Sequence, residues 1–183
     1  MLRTIGNFEL GDWHIPVQTG IPDATEFLRL AYNLAHKKSD DPSTEVGAVV
    51  VRKGEVLVSG VNHMPARSLC FDKANLERPY KYKLIEHAER DAVYTAARCG
   101  VALDGSVMFA PWAACSDCAR AIVLSGIDHV VAHYQAIEQT PKRWKEEIEI
   151  GLLIFDAAGV SYVLFDGNIG GVENLFDGKI WYP

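Results

Sequence analysis

The chain has 183 residues, 49% hydrophobic and 23% charged, which suits one globular domain with a sizeable core and excludes a disordered chain. Its formal net charge of −6 argues against a general affinity for nucleic-acid polymers, which depends on neutralising phosphates. No apolar run approaches the ~18 residues needed to span a bilayer, and no apolar leader core follows Arg3, so a cytoplasmic protein with no membrane partner is expected.

Residues 1–20 show little periodicity and read as an N-terminal arm. Asp23 is then expected to cap a helix, with Glu26 at the capping-box position and Phe27, Leu30, Ala31, Leu34 and Ala35 on one apolar face. Asp41-Pro42-Ser43-Thr44 breaks that helix. Val46–Val51 and Glu55–Val61, joined at Arg52-Lys53-Gly54, predict a β-hairpin. Residues 62–84 are polar, contain Pro65 and Pro79, and read as a long loop.

A second helix is expected from about Glu86 to Cys99, stopped by Gly100, followed by a strand at Val107–Ala110. A third helix runs from Cys115 toward Gly126, and Ile127–Ala132 is a strand. Pro141 is expected to open a fourth helix through Ala158, with Gly151 as a weak point inside it and Gly159 at its end. Val160–Phe165 is a last strand. This alternation predicts a partly parallel sheet covered by helices, in one domain over residues 21–166. Residues 167–183 are Gly-rich and read as a C-terminal tail with no assigned docking place.

Two short motifs carry the chemistry: His87-Ala88-Glu89 and Cys115-Ser116-Asp117-Cys118. One imidazole and two thiolates make three ligands for tetrahedral zinc, and the fourth position stays open for water, as in a catalytic site. Cysteines at i and i+3 share one side of a helix's first turn, where the helix dipole favours thiolates. Glu89 is placed to move protons without binding metal. A C-x-x-C alone also suits a redox pair, and a lone H-x-E arises often by chance; their combination selects one catalytic zinc per chain. Cys70 and Cys99 read as buried or idle thiols. The pattern H-x-E followed by P-C-x-x-C is the signature of zinc nucleobase deaminases, matched here except for Ala114 in place of Pro.

Further segments narrow the likeness. Asp41-Pro42-Ser43-Thr44-Glu45-Val46-Gly47-Ala48 resembles the first strand region of deoxycytidylate deaminases, and Gly60-Val61-Asn62-His63-Met64-Pro65 resembles their Gly-Tyr-Asn-x-x-Pro segment. The chain is thus similar to the deoxycytidylate (dCMP) deaminase branch of the cytidine deaminase superfamily over about residues 24–165. The resemblance implies a three-layer α/β/α fold with a five-stranded mixed sheet and a homo-oligomer, often a hexamer. It implies zinc on His87, Cys115 and Cys118, proton transfer by Glu89, sugar contact by Asn62, and base contact by the backbone of Ala88. It also implies a nucleotide or subunit-interface role for Arg98. The reaction implied is hydrolysis of dCMP to dUMP and ammonia. Deamination of dCTP, deoxycytidine or a modified dCMP stays open, as does a zinc domain used only for binding. The chain departs from the family at Asp40, Val61, Asp91 and Ala114.

The loop at 62–84 holds Arg67, Lys73, Arg78, Lys81 and Lys83 against Asp72 and Glu77, a local basic excess in an acidic chain. It lies between Asn62 and His87. Arg67 and Arg78, which can grip a phosphate through two parallel hydrogen bonds, are the candidates for a substrate 5′-phosphate. A solvated charged lid is the plainer alternative.

Overall fold

The computed structural model describes the backbone at residues 4–5, 8–9 and 15–183, and the side chains of residues 15–183 except Arg67. Two short strands, β1 (Thr4–Ile5) and β2 (Phe8–Glu9), pair with each other. β3 (Val17–Gln18) precedes helix α1 (Ala24–Lys38). Asp23 stands at the start of α1, but its backbone is left-handed (φ 58°) and its side chain makes no capping bond, so the expected capping box does not form.

β4 (Gly47–Arg52) and β5 (Glu55–Val61) form the expected hairpin. Lys53 and Gly54 both have positive φ, the requirement of a tight two-residue hairpin turn. The expected long loop contains two short 3₁₀ turns and one helical turn, α2 (Lys81–Leu84). Then follow α3 (Ala88–Cys99), β6 (Ser106–Phe109), α4 (Ser116–Leu124), β7 (Ile127–His133), α5 (Tyr134–Glu138), α6 (Lys145–Ala158) and β8 (Ser161–Phe165). The helix expected to open at Pro141 begins instead with a 3₁₀ turn, Lys142–Trp144. The tail forms a hairpin, β9 (Asn174–Phe176) and β10 (Lys179–Trp181).

The main sheet has six strands in the order β3-β8-β7-β6-β4-β5. The five expected strands form its body, and β3, contributed by the arm, adds a two-residue edge parallel to β8. β6, β7 and β8 run parallel, whereas β4 is antiparallel to both of its neighbours. The β4 side chains alternate between two apolar cores, as a strand's period of two requires. Val49 and Val51 pack with α1 through Phe27, Leu28 and Ala31. Ala48 and Val50 pack with α3, α4 and α6 through Ala92, Ile122 and Phe155. The result is a three-layer α/β/α domain.

The strand directions place the site. The chain leaves β6 at the edge where its antiparallel neighbour β4 begins, and β5 ends at that same edge. Asn62 follows β5 there, and the segment 110–115 following β6 leads to Cys115. Ligand sites of open α/β sheets lie at such an edge, beyond the carboxyl ends of the parallel strands.

Candidate active site

His87 and Cys115 are the residues on which α3 and α4 start, and Cys118 lies in the first turn of α4. The His87 Nδ1 atom is 3.5 Å from the Sγ of both Cys115 and Cys118. The three donor atoms lie within 4.8 Å of one another, and this is the group of metal-binding composition among the described residues. Tetrahedral zinc, with Zn–S near 2.3 Å and Zn–N near 2.0–2.1 Å, sets N and S ligands about 3.5–3.6 Å apart. Donor chemistry and spacing therefore both fit zinc.

Electrostatics point the same way. The Cys118 thiol hydrogen-bonds Cys115 and, with His87 alongside, pulls the Cys115 pKa down to about 4 against the opposing effect of burial. That pairing and burial push Cys118 up. Zinc binds thiolates, so its affinity for such a pair depends on pH. Burial alone would lower His87, but the hydrogen bond and charge of Cys115 outweigh it and raise its pKa. Glu89 is only 4% exposed, and its Oε2 lies 3.6 Å from Cys118 Sγ. Burial raises its carboxyl pKa, against the lowering pull of His87. A buried carboxyl that holds its proton more tightly than usual is suited to general acid–base work.

A narrow cavity of about 60 Å³ opens above these residues. His87, Ala88, Glu89 and Cys115 form its floor; Asn62, Tyr82, Trp112 and Trp144 are among its walls; Arg78 and Arg143 also line it. The aromatic rings meet edge to face, Tyr82 to Trp144 at 5.3 Å and Trp112 to Trp144 at 5.6 Å. Both arginines engage the carboxylate of Asp177, in the tail hairpin. Lys81 is buried and donates to both carboxylate oxygens of Asp41, at 2.8 and 3.0 Å, fixing the Asp-Pro-Ser-Thr turn beside the cavity.

The structure thus gathers His87, Ala88, Glu89, Cys115, Asn62 and Arg78 around one cavity, with Cys118 buried against His87 and Cys115. Asn62 is heavily committed: its Oδ1 accepts from Ser39 Oγ and Val46 N, and its Nδ2 donates to Thr44 O. One amide hydrogen remains. Arg98 does not line this cavity. It sits near the far end of α3, about 16 Å along the helix axis from His87 at 1.5 Å per residue, beside Lys37, Lys38, Asp40 and His63 in a separate groove. The Arg67 side chain lies outside the described residues. Two of the departures meet here, since Asp91 accepts a hydrogen bond from Val61 N and ties α3 to β5. Sequence reasoning missed Arg143, Trp112, Trp144 and Asp177. Only Asp177 carried a local signal, because Asp-Gly between two short apolar segments marks a tight hairpin turn.

A family profile described as the cytidine and deoxycytidylate deaminase zinc-binding region matches residues 22–134, more than half of the chain. The chain belongs to the cytidine and deoxycytidylate deaminase family. It is 34% identical to an uncharacterized deaminase in the luxG 3′ region of Aliivibrio fischeri, over 75% of this chain and 89% of that protein. It is 26% identical to the deoxycytidylate deaminase of phage T4, over 73% of this chain and 89% of that one. The crystal structure of the dCMP deaminase of cyanophage S-TIM5 in complex with dCMP and dUMP superposes with a TM-score of 0.61 at 24% identity, covering 80% of this chain and 99% of that one. That likeness establishes the fold. The protein is therefore an enzyme of the hydrolytic deaminase type, and its His/Cys/Cys cluster falls within the family's zinc-binding region. Among the described residues no helix is long and apolar enough to cross a membrane.

Proposed function

We propose that this deaminase hydrolyses deoxycytidylate to deoxyuridylate and ammonia, with one catalytic zinc per chain on His87, Cys115 and Cys118. The observation that carries the nucleotide part is the convergence of Arg78 and Arg143 on one carboxylate beside a cavity lined by Glu89 and by the donors His87 and Cys115. Guanidinium groups grip phosphate as they grip carboxylate. The base then lies toward the floor and the 5′-phosphate toward the arginines.

Zinc, when bound, supplies hydroxide at neutral pH by lowering the pKa of water from 15.7 toward about 7. Glu89 takes up the proton released and gives it to the ring nitrogen next to the amino-bearing carbon. The water's oxygen bonds to that carbon; Glu89 then takes the proton of the hydroxyl so formed and passes it to the amino group, and the C–N bond breaks as ammonia leaves and the hydroxyl becomes the ring carbonyl. One water is consumed and one ammonia leaves. The backbone at Ala88 contacts the base edge, and the Asn62 N–H left over from its internal bonds reaches the sugar. Trp112, Trp144 and Tyr82 give the pyrimidine an aromatic wall, where stacking is worth roughly 1–3 kcal/mol per base. Arg67 is a further phosphate candidate, and Arg98 is assigned to a subunit interface or a second nucleotide site. Residues 21–166 are the catalytic domain, flanked by the arm and the tail. A cytoplasmic homo-oligomer, with a hexamer as the expected form, completes the reading.

The test compares ammonia release from deoxycytidine, its monophosphate and its triphosphate. The monophosphate should have the highest kcat/KM. Equal use of deoxycytidine, or preference for the triphosphate, overturns the assignment of substrate.

A further inference from the structure

We infer that Asp177 occupies the phosphate position of the pocket in the free enzyme and is exchanged for the substrate's phosphate on binding, which makes the C-terminal hairpin a specificity-determining element. This rests on the reading of Arg78 and Arg143 as the phosphate grip.

Three observations carry it. First, one carboxylate is held by two guanidinium groups, Arg78 Nη2 at 2.9 Å and Arg143 through both Nη1, at 3.5 Å, and Nη2. Second, the cavity measures about 60 Å³. Pockets for small ligands hold about 300–1,000 Å³, so the cavity is narrow for a nucleotide and the groups at its rim bear on entry. Third, the tip of the β9–β10 hairpin is fastened to that rim. Asp177 N donates to Thr44 Oγ1 at 3.2 Å, Gly178 N donates to Ser43 O at 2.8 Å, and Phe176 meets Trp112 at 5.1 Å. Thr44 and Trp112 line the cavity.

Charge and exposure favour exchange. Asp177 carries one negative charge, whereas a phosphate monoester carries about 1.5 to 2 near pH 7. The pairs with Asp177 are partly solvated, with side-chain exposures of 45% for Arg78 and 37% for both Arg143 and Asp177. Partly exposed ion pairs hold weakly and give way to a stronger anion. A purely structural contact would instead keep the arginines paired with Asp177 while substrate binds elsewhere.

The experiment uses the full chain and Asp177→Asn. Asn also tolerates the left-handed backbone that Asp177 adopts (φ 47°), so the turn is kept. The KM for deoxycytidylate should fall about two- to fivefold relative to that for deoxycytidine, the range expected from losing a weak competing ion pair. Inorganic phosphate, used as an inhibitor, should bind the variant more tightly by a similar factor. A raised KM for deoxycytidylate would mean that Asp177 orients the arginines for catalysis, and overturns the inference. An unchanged KM and an unchanged phosphate inhibition constant overturn it as well. Arg78→Ala and Arg143→Ala test the underlying reading separately: if neither weakens deoxycytidylate relative to deoxycytidine, the phosphate site itself is elsewhere.

Discussion

Glu89 touches Cys118 at 3.6 Å yet stands outside the three-donor group, so its removal should disable proton transfer and leave the metal in place. Glu89→Gln should keep its zinc while turnover falls at least ~10²-fold, the low end for losing a general acid–base; metal content and ammonia release measured on one preparation check both halves. Arg78 and Arg143 make a different kind of contribution. A charge-assisted hydrogen bond contributes ~1.5–3 kcal/mol, so Arg78→Ala or Arg143→Ala should lower kcat/KM for the monophosphate roughly 10- to 100-fold, with far less effect on deoxycytidine. The cluster of His87, Cys115 and Cys118, with Glu89 beside it, was legible in the sequence because the spacing is local: His87 and Glu89 lie two positions apart at one helix start, Cys115 and Cys118 three apart at the other. Arg78 was legible only as part of a basic loop. Arg143, Trp112 and Trp144 come from separate elements, and tertiary packing alone brings them to the cavity, so no spacing announced them.

The elements that carry the site are held at close range by glycines. A Cβ on Gly60 of β5 would stand 2.3 Å from Ala88 O and 2.4 Å from Ala92 N, inside the backbone of α3. Gly60→Ala must therefore push away the helix that begins at His87 and carries Glu89. Overpacking of this kind costs about 1–3 kcal/mol, so the variant should melt lower and retain less zinc; differential scanning calorimetry and metal analysis would register both. Gly151 plays the same part for α6, where a Cβ would lie 2.6 Å from Ala114 O, next to Cys115. The sequence marked Gly151 as a weak point in a helix; the packing makes it the place where α6 approaches the cysteine segment. Periodicity gave the long helices and the hairpin correctly. It said nothing of the left-handed Asp23, a local backbone choice, or of α5, which is only five residues long.

His133 ties three parts of the molecule together. Its Nε2 donates to Gly167 O in the tail, so the neutral ring accepts at Nδ1 from the Tyr32 hydroxyl of α1 at 2.8 Å. Trp181 stacks on the ring at 5.9 Å. Burial lowers the His133 pKa in the folded protein. The unfolded chain, with a His pKa of about 6.5, then binds the proton first as pH falls, so this contribution to stability is full above about 6.5 and is lost on acidification through the folded pKa. The melting temperature should drop between pH 7.5 and pH 5.5, and His133→Gln should flatten part of that slope. The tail's place over α1 and the pocket could not be read from its sequence, because its contacts are long-range: Asn174 to Glu45, Asp177 to Arg143, Trp181 to Tyr32. The sixth strand escaped for another reason, since two residues show no alternation.

Zinc-dependent ammonia release from deoxycytidylate is the measurement that bears most directly on this account. Purified enzyme carrying one zinc per chain should convert deoxycytidylate to deoxyuridylate and ammonia in equal amounts, lose that activity when the metal is stripped by a chelator, and regain it when zinc is restored. Zinc-loaded enzyme that releases no ammonia from deoxycytidylate, or stripped enzyme that releases it as fast, would contradict the account.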